Sequence, residues 1–423
     1  MHPSADPSGP ADPLAGRRVL VLISGSIAAV KLPQLVSVLV KRGALVRCAV
    51  TPSAARLVSP VALASLSRHP CHGDDDPWSP AAPRPLHVEL AEWAELVLLA
   101  PLSATTLGRW VHGLGDTLVA SVLLACEAPV LVAPAMNTAM WASPSVAANW
   151  QALQGWERVV TLPPASGLLA CDRIGDGRMA EPERLLLGLE SLATWGWRRD
   201  WLGRRLLVSA GPTREPLDPA RYLTNPSTGL MGLCLAQAAL LRGAEVDLVH
   251  GPLTAPDALR EGLHCHPITT AAELEAALDR LQPEASAIAM AAAVADHRRA
   301  APRADKIAKL ELEEALSGGW ETVPDLLAGL VARRPTGQCI LGFAAYSGME
   351  LQPVRAKFAR KGCDLLFANP IDSPGAGFAS STNAGWLLGP GPEETRLEPA
   401  PKLAIAHRLL SALAASLDES QGT

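Results

Sequence analysis

The 423-residue sequence has no large excess of charge of either sign. It contains 37 lysines and arginines against 42 aspartates and glutamates, which leaves a formal net charge of −5 at pH 7. A broad basic surface for a polyanion is therefore disfavoured, because such partners are attracted mainly by the summed positive field of a protein. We expect no nucleic-acid partner and no membrane partner.

Long apolar runs are also missing. The most hydrophobic window, residues 117–136, is interrupted by Glu127 and by two prolines, so it predicts a buried helix followed by a buried strand rather than a membrane span. Residues 1–15 are rich in proline, alanine, serine and aspartate and contain no apolar block, which predicts a disordered tail rather than a targeting segment. A soluble, cytoplasmic protein is expected.

Cysteines at metal-binding spacing are absent. The eight cysteines are scattered along the chain and no two form a Cys-x-x-Cys pair. Residues 69–72 and 264–266 combine histidine with cysteine, but neither cluster has the spacing or the neighbouring ligands of a closed zinc site. A reduced, cytoplasmic setting fits this cysteine usage.

The sequence does contain a repeated unit of strand, turn, helix and strand. Residues 18–23 and 45–50 predict strands on either side of a helix at 28–40. The same order returns after residue 200, with a strand at 205–210 and a helix at 231–241. Units of this kind build parallel sheets. We therefore predict an α/β fold with two Rossmann-like parallel-sheet domains, at residues 16–200 and 201–423.

The first predicted turn carries groups that suit a phosphate. Ser24, Gly25 and Ser26 lie between a strand and a helix, where backbone N–H groups and the helix N-terminus attract anions. A glycine-containing turn without a ligand fits these residues equally well, because the segment is neither a complete GxGxxG motif nor a P-loop.

A second turn, residues 134–141, follows the strand predicted at 130–133. Ligands usually bind at this end of a parallel sheet, and Asn137 offers both a donor and an acceptor to a carboxylate or an amide. The string Pro-Ala-Met-Asn-Thr-Ala-Met-Trp resembles the substrate motif of flavin-dependent cysteine decarboxylases.

The resemblance continues in order along the chain. Residues 170–179 look like the flap of phosphopantothenoylcysteine decarboxylases, and His87 matches the active-site histidine of that family. Residues 211–229 resemble the signature of phosphopantothenate:cysteine ligases. From about Arg17 onward the chain is therefore similar to the bifunctional phosphopantothenoylcysteine decarboxylase/phosphopantothenate:cysteine ligase family, which performs two successive steps of coenzyme A synthesis.

For residues 16–200 the resemblance implies a homo-oligomeric, flavin-containing cysteine decarboxylase fold that uses FMN. In that family the cysteinyl thiol is oxidised to a thioaldehyde, CO₂ is lost, and the flap cysteine, here Cys171, donates a proton. Asn137 would hold the reacting carboxylate, and His87 would either move a proton or anchor the same carboxylate. The residues expected to hold the phosphate or ribityl chain of FMN are Ser24, Gly25, Ser26, Ser103 and Thr105.

For residues 201–423 the resemblance implies a ligase fold that activates 4′-phosphopantothenate with CTP. The resulting acyl-cytidylate would be hydrogen-bonded by Asn225 and attacked by the amine of cysteine, with Lys306 as the catalytic lysine. Mg²⁺ is expected with CTP, although the sequence assigns it no ligands. The expected nucleotide-binding residues are Ala292, Asp296, Lys306, Pro324, Asp325, Phe343, Lys357 and Lys361.

Some positions depart from the family pattern. Asp172 follows the flap cysteine where glycine is usual, Pro226 and Leu230 replace a histidine and a lysine of the ligase loop, and Tyr346 replaces a glutamate. Losing the lysine removes one cation near the substrates.

Two other readings of the sequence remain open. One is an FMN-dependent peptidyl-cysteine decarboxylase with an inactive second half, and the other is a non-catalytic regulatory flavoprotein. The family resemblance further implies a homo-oligomer, a dodecamer in which ligase dimers link decarboxylase trimers.

Overall fold

The computed structural model describes residues 12–78, 84–168, 174–348, 350–372, 377, 380–391 and 394–421. These residues form two compact units, one ending at Arg198 and the other starting at Arg199. Within the described ranges, no helix combines the length and the apolar character that crossing a membrane requires.

The first unit is built around a parallel sheet. Its strands are β1 (Arg18–Ile23), β2 (Leu45–Val50), β3 (Cys71–His72), β4 (Leu96–Leu102), β5 (Val130–Pro134), β6 (Val159–Thr161), β7 (Ala165–Leu168) and β8 (Ile174–Arg178). Six of them form the sheet in the order β3-β2-β1-β4-β5-β6, and all neighbours run parallel. Strands β7 and β8 form a separate antiparallel hairpin.

Helices cover this sheet. They are α1 (Leu32–Lys41), α2 (Pro52–Ala55), α3 (Pro60–Ser67), α4 (Leu86–Trp93), α5 (Ala104–Val111), α6 (Leu118–Ala125), α7 (Thr138–Trp141), α8 (Pro144–Gln154) and α9 (Pro182–Trp195), with 3₁₀ turns at Ile27–Lys31 and Asp76–Trp78. Because helices lie over the sheet, its central strands read as continuous apolar runs, and β4 is buried at every position.

The helix predicted at 28–40 is divided in the structure. A 3₁₀ turn spans Ile27–Lys31, and α1 begins at Leu32. Pro33 occupies the second position of α1, where its missing N–H is tolerated and its fixed φ favours a helix start. The 3₁₀ turn leaves the residues after β1 next to the carboxyl end of the sheet.

The disordered tail predicted for residues 1–15 is corrected at its end. Leu14 is fully buried, and both oxygens of the Asp12 carboxylate accept hydrogen bonds from Arg42, at 2.6 and 2.9 Å. A single apolar residue and one ion pair therefore order this stretch, which average composition does not reveal. Residues 1–11 lie outside the described residues.

The described residues of the second unit form twelve further strands. They are β9 (Arg205–Ala210), β10 (Arg214–Asp218), β11 (Arg221–Thr224), β12 (Glu245–His250), β13 (His264–Pro267), β14 (Ala287–Met290), β15 (His297–Arg299), β16 (Trp320–Thr322), β17 (Cys339–Tyr346), β18 (Leu365–Pro370), β19 (Thr382–Leu388) and β20 (Thr395–Pro401). Eight of them form one sheet in the order β13-β12-β9-β14-β17-β18-β19-β20. Strands β10 and β11, and strands β15 and β16, form two small antiparallel pairs.

In the part of the second unit that the structure describes, six helices accompany these strands. They are α10 (Leu230–Leu241), α11 (Ala271–Leu281), α12 (Leu312–Ser317), α13 (Leu326–Ala332), α14 (Gln352–Lys361) and α15 (Lys402–Gln421), with 3₁₀ turns at Asp257–Arg260 and Gln282–Glu284. Helix α10 contacts β9, β12 and α15, so both of its sides are covered and eight of its residues are buried.

The predicted α/β class is confirmed. The second sheet, which was predicted to be parallel, also contains antiparallel strands. Strands β19 and β20 add to its edge in antiparallel orientation. Gly385 interrupts the apolar pattern of β19, and the two prolines of β20 suit an edge strand, so neither segment gives a clear strand signal.

Candidate active sites

A cavity of about 670 Å³ lies in the first unit, beyond the carboxyl ends of β1 and β5. Three segments line it: residues 26–31 after β1, residues 135–137 after β5, and residues 177–179 at the end of the β7–β8 hairpin, with Leu168 from the same hairpin. This is the edge of a parallel sheet at which ligands bind in open α/β folds.

Asn137 lies on the cavity wall with its amide oriented by the backbone. It is the N-cap of α7, and its Oδ1 accepts a hydrogen bond from the Met140 N–H at 2.8 Å. Within the described residues, the amide nitrogen has no hydrogen-bond partner. The fixed amide therefore presents N–H donors to a ligand, which suits a carboxylate.

Gly177 holds the hairpin against this asparagine segment. The Met136 N–H donates to the Gly177 carbonyl at 3.0 Å, and Gly177 has a φ of +139°. A β-carbon at position 177 would come within 2.1 Å of the Met136 carbonyl oxygen. Only glycine allows the two backbones to approach this closely.

Gly177→Ala is therefore expected to destabilise the first unit. The left-handed backbone costs an alanine about 1–2 kcal/mol, and the contact with Met136 adds to this, so the melting temperature should fall by roughly 4–8 °C. Gly73→Ala is the matched control, because no atom lies within 4 Å of its β-carbon position. Equal melting temperatures of the two variants in scanning calorimetry would contradict this packing argument.

An ion-pair network stands beside the cavity. Lys31 and Arg178, which both line the wall, donate to the two carboxylate oxygens of Glu181, with Lys31 Nζ at 2.6 Å. Burial disfavours the charge on Glu181, but its two cationic partners hold its pKa below the ordinary value. The network ties the end of β8 to the turn after β1.

Ser24, a predicted cofactor residue, does not line the cavity. It is fully buried, and its hydroxyl donates to the Pro101 carbonyl and accepts from the Ser103 N–H, both at 2.7 Å. The hydroxyl therefore joins two turns of the protein and has no exposed surface for a ligand. The sequence placed Ser24 in the turn after β1, but it could not show that this hydroxyl points into the protein.

The other predicted cofactor residues differ in whether they line the cavity. Ser26 lies on the cavity wall. Gly25 packs closely on Ser53, where an added β-carbon would lie 2.4 Å from the Ser53 Cβ. Ser103 caps α5 by accepting from the Thr106 N–H, Thr105 is exposed, and neither is among the described lining residues.

His87, the predicted active-site histidine, is not brought to this wall. His87 is the second residue of α4, is half-buried, and does not line the cavity. Cys171 and its neighbour Asp172 lie outside the described residues.

The second unit holds two adjoining cavities of about 330 and 380 Å³ at the carboxyl ends of β14 and β17. Ala292, Val294, Asp296, Phe343 and Lys357 line both. We call the smaller one, which is also lined by residues 225–232, the loop cavity. We call the larger one, which is also lined by residues 322–327 and Lys361, the strand-end cavity.

Asn225 lines the loop cavity and is fixed by two hydrogen bonds. Its Nδ2 donates to the carbonyl oxygens of Ala293 and Val294, at 3.0 and 3.2 Å. The amide nitrogen is thereby occupied, and the amide oxygen is the group left to meet a ligand. Asn225 thus presents an acceptor, the opposite of Asn137.

The charged residues of the strand-end cavity are partly paired. Asp325 caps α13 through the Ala328 N–H at 3.1 Å and forms an ion pair with Lys361. Burial opposes the charge on Asp325, but the hydrogen bond from Lys361 lowers its pKa. Burial and the nearby Lys361 lower the pKa of Lys357, against the attraction of Asp296. Both lysines face a space that suits a polyanion.

Apolar groups complete this wall. Pro324 lines the strand-end cavity, and Phe343 lines both cavities and packs edge-on against Phe367 with ring centroids 5.7 Å apart. Leu230, one of the departures from the family pattern, is the first residue of α10 and lies on the wall of the loop cavity.

Lys306 is exposed and lies on neither wall. Its neighbour Ile307 is buried, donates its N–H to Asp218 at 3.1 Å and accepts from Arg221 at 3.1 Å through its carbonyl. The loop is thus anchored one residue away from the predicted catalytic lysine.

Several wall residues give no signal in the sequence. Lys31 and Arg178 of the first unit, and Asn383 and Lys402 of the second, lie on cavity walls. Single polar residues are solvated by default, so only the fold reveals these four. A candidate metal cluster of three or more histidine, cysteine, aspartate or glutamate side chains is absent from the described part of the chain.

Two family models match this sequence. A model described as Flavoprotein matches residues 8–193, and the model of the DNA/pantothenate metabolism flavoprotein C-terminal domain matches residues 201–417.

Relatives match along most of the chain. The Coenzyme A biosynthesis bifunctional protein CoaBC of Escherichia coli K12 is 38% identical over 377 residues, which cover 88% of this chain and 90% of the relative. The protein of the same name from Mycolicibacterium smegmatis is 38% identical over 421 residues, covering 96% and 100%. A crystal structure of the C-terminal domain of a CoaBC protein is 28% identical, covers 52% of this chain and 99% of that chain, and has a TM-score of 0.43.

Proposed function

The chain belongs to the CoaBC family of bifunctional coenzyme A biosynthesis proteins, and we infer from this that it is an enzyme with a decarboxylase half and a ligase half. The two halves act in successive steps of coenzyme A synthesis. The observation that carries this assignment at the level of the sites is the pair of fixed asparagines, one in each unit, which present opposite hydrogen-bonding groups to a cavity.

The cavity of the first unit suits FMN. Ser26 and the N–H groups at the start of the 3₁₀ turn offer donors to its phosphate, while Ile27, Met136 and Met179 give an apolar wall for a flavin ring. When bound, FMN supplies the reversible two-electron chemistry that this reaction needs, because a carboxylate that is not β to a carbonyl has no electron sink of its own.

The protein side chains then position the substrate and move a proton. Asn137 donates its amide N–H groups to the carboxylate that leaves as CO₂, and Cys171 supplies the proton that replaces it. Overall, 4′-phosphopantothenoylcysteine loses CO₂ and gives 4′-phosphopantetheine with no net change in oxidation state.

The position of His87 supports a site completed by a second copy of the chain. His87 is not on the cavity wall of its own unit, whereas Ile27, Val30 and Leu168 line the cavity and are 55%, 54% and 63% exposed. Apolar side chains of this size at a cavity mouth are typical of a surface that is covered in an assembly. We propose a homo-oligomer, the dodecamer of the family, in which a neighbouring copy brings its histidine to this mouth.

In the second unit we propose that CTP and 4′-phosphopantothenate occupy the two adjoining cavities. Lys357 and Lys361 stabilise the triphosphate, and Mg²⁺ enters with the nucleotide, held mainly by phosphate oxygens and water. The Asn225 amide oxygen accepts from a hydroxyl or amide N–H of the pantothenoyl group, which orients the acyl carbon for attack by the amine of cysteine. Lys306 joins this site if its exposed loop moves when the substrates bind.

One experiment tests both halves. Purified full-length protein is examined for flavin absorbance and is then given 4′-phosphopantothenate, cysteine, Mg²⁺ and CTP. We expect yellow protein that forms CMP, pyrophosphate, CO₂ and 4′-phosphopantetheine. A yellow protein that decarboxylates supplied phosphopantothenoylcysteine but leaves CTP intact would remove the ligase assignment, and failure of both reactions would remove the whole proposal.

A further inference from the structure

A buried lysine that no expected role accounts for lines the loop cavity. Lys402 is the first residue of α15 and is only 3% exposed. It lines the same cavity as the Asn225 loop, although the two are distant in sequence. Its Nζ donates to the Gly377 carbonyl at 3.2 Å. Lysine is almost never buried to this extent without a specific reason.

The surroundings of Lys402 fit an anion. Burial lowers the pKa of its ammonium group, and a bound anion would favour the charged form. Among the described residues that line the loop cavity, Lys357 and Lys402 are the cationic side chains and Asp296 is the acidic one. An anion placed in this cavity would therefore be favoured by a net positive wall.

A second element points in the same direction. The cavity is also lined by the first residues of α10, a twelve-residue helix whose first turn has no acidic residue and whose N-cap, Gly229, provides no side-chain hydrogen bond. The N–H groups at such a helix start carry partial positive charge and attract phosphate. Asn383, which is 3% exposed, adds a buried amide to the same wall.

We propose that Lys402 binds a phosphoryl group of a ligase substrate, with the start of α10 and Asn383 completing the site. This inference rests on the proposed ligase function and adds to it a binding residue that is distant in sequence from Asn225 but lines the same cavity. The shared chemistry is a phosphate dianion or a polyphosphate. It can come from the 4′-phosphate of phosphopantothenate or from the triphosphate of CTP.

The placement of the lysines distinguishes Lys402 from the expected nucleotide contacts. Lys361 lines the strand-end cavity alone, Lys402 lines the loop cavity alone, and Lys357 lines both. An anion bound by Lys402 therefore lies at the side of the joined cavities where Asn225 meets the acyl substrate.

The test compares Lys402→Met and Lys402→Arg in the full-length enzyme. KM is measured separately for 4′-phosphopantothenate and for CTP. Loss of one charged hydrogen-bond donor should raise the KM of the substrate that Lys402 binds by roughly 10- to 100-fold, with a much smaller change in kcat, and arginine should restore most of the loss. A raised KM for 4′-phosphopantothenate identifies the 4′-phosphate, and a raised KM for CTP identifies the triphosphate.

Cys234→Ala is the matched control, because Cys234 is a buried neighbour of Lys402 that does not line the cavity. It disturbs the packing around the lysine but keeps the charge, and we expect unchanged KM values. Unchanged KM values in Lys402→Met, or an equal loss in Lys402→Met and Cys234→Ala, would overturn the proposal.

Calorimetric binding of inorganic pyrophosphate and inorganic phosphate gives a readout that does not depend on ligation. Wild-type protein should bind at least one of them, and Lys402→Met should bind it at least tenfold more weakly. If wild-type protein forms no CMP, the ligase assignment fails while this measurement still decides the role of Lys402. Equal binding by wild type and Lys402→Met would refute an anion site at this lysine.

Discussion

Asn137→Asp is expected to slow decarboxylation on the order of 10²–10³-fold while leaving the fold intact. The Oδ1 atom of Asn137 caps α7, and aspartate caps a helix as well as asparagine does, so the hydrogen bond from the Met140 N–H survives. The amide nitrogen, however, becomes a carboxylate oxygen. It would repel the substrate carboxylate that the amide N–H groups otherwise bind.

The measurement is CO₂ release from supplied phosphopantothenoylcysteine, with melting temperature as the check on folding. Asn149→Asp is the matched control, because Asn149 lies on α8 in the same unit and not on the cavity wall. Decarboxylation by Asn137→Asp at the wild-type rate would show that this amide does not touch the reacting carboxylate.

Much of the first sheet could be predicted because its strands are continuous apolar runs. Strands β1 and β2 have the bounds expected from residues 18–23 and 45–50, since strands buried on both faces leave a clear signal between polar turns. The apolar pattern that predicts a strand is lost where the strand is only partly buried. Strand β20 carries two prolines and charged residues at the sheet edge, and its pairing with β19 depends on neighbours distant in sequence.

The active-site residues show the same limit. The turn after β1 and the turn after β5 could be located because each follows a strand, and ligands bind at that end of a parallel sheet. The direction of a side chain within such a turn could not be predicted. The hydroxyl of Ser24, a predicted cofactor residue, bonds to the Pro101 carbonyl and the Ser103 N–H. Lys402 gave no signal at all, because its burial results from strands and helices that meet only in the folded protein.

Asn225→Asp is expected to lower ligation by at least 10²–10³-fold and to leave decarboxylation unchanged. Unlike Asn137, Asn225 uses its amide nitrogen to hold the protein together, since Nδ2 donates to the Ala293 and Val294 carbonyls. A carboxylate at this position would place negative oxygens about 3 Å from two carbonyl oxygens. Repulsion would then move the Asn225 loop away from the segment that lines both cavities.

The two aspartate variants serve as controls for each other, because each leaves the other unit untouched. CMP formation and CO₂ release from supplied phosphopantothenoylcysteine are measured on both proteins. Asn225→Asp should lose CMP formation and keep CO₂ release, and Asn137→Asp should show the reverse. Asn225→Ala separates two causes: it removes the hydrogen bonds without adding charge, so it should lose ligation but keep more stability than Asn225→Asp. If Asn225→Asp ligates as fast as wild type, the loop does not position the acyl substrate. If instead both activities fall together, the two sites are coupled through the assembly, and the division of labour between the two asparagines would have to be abandoned.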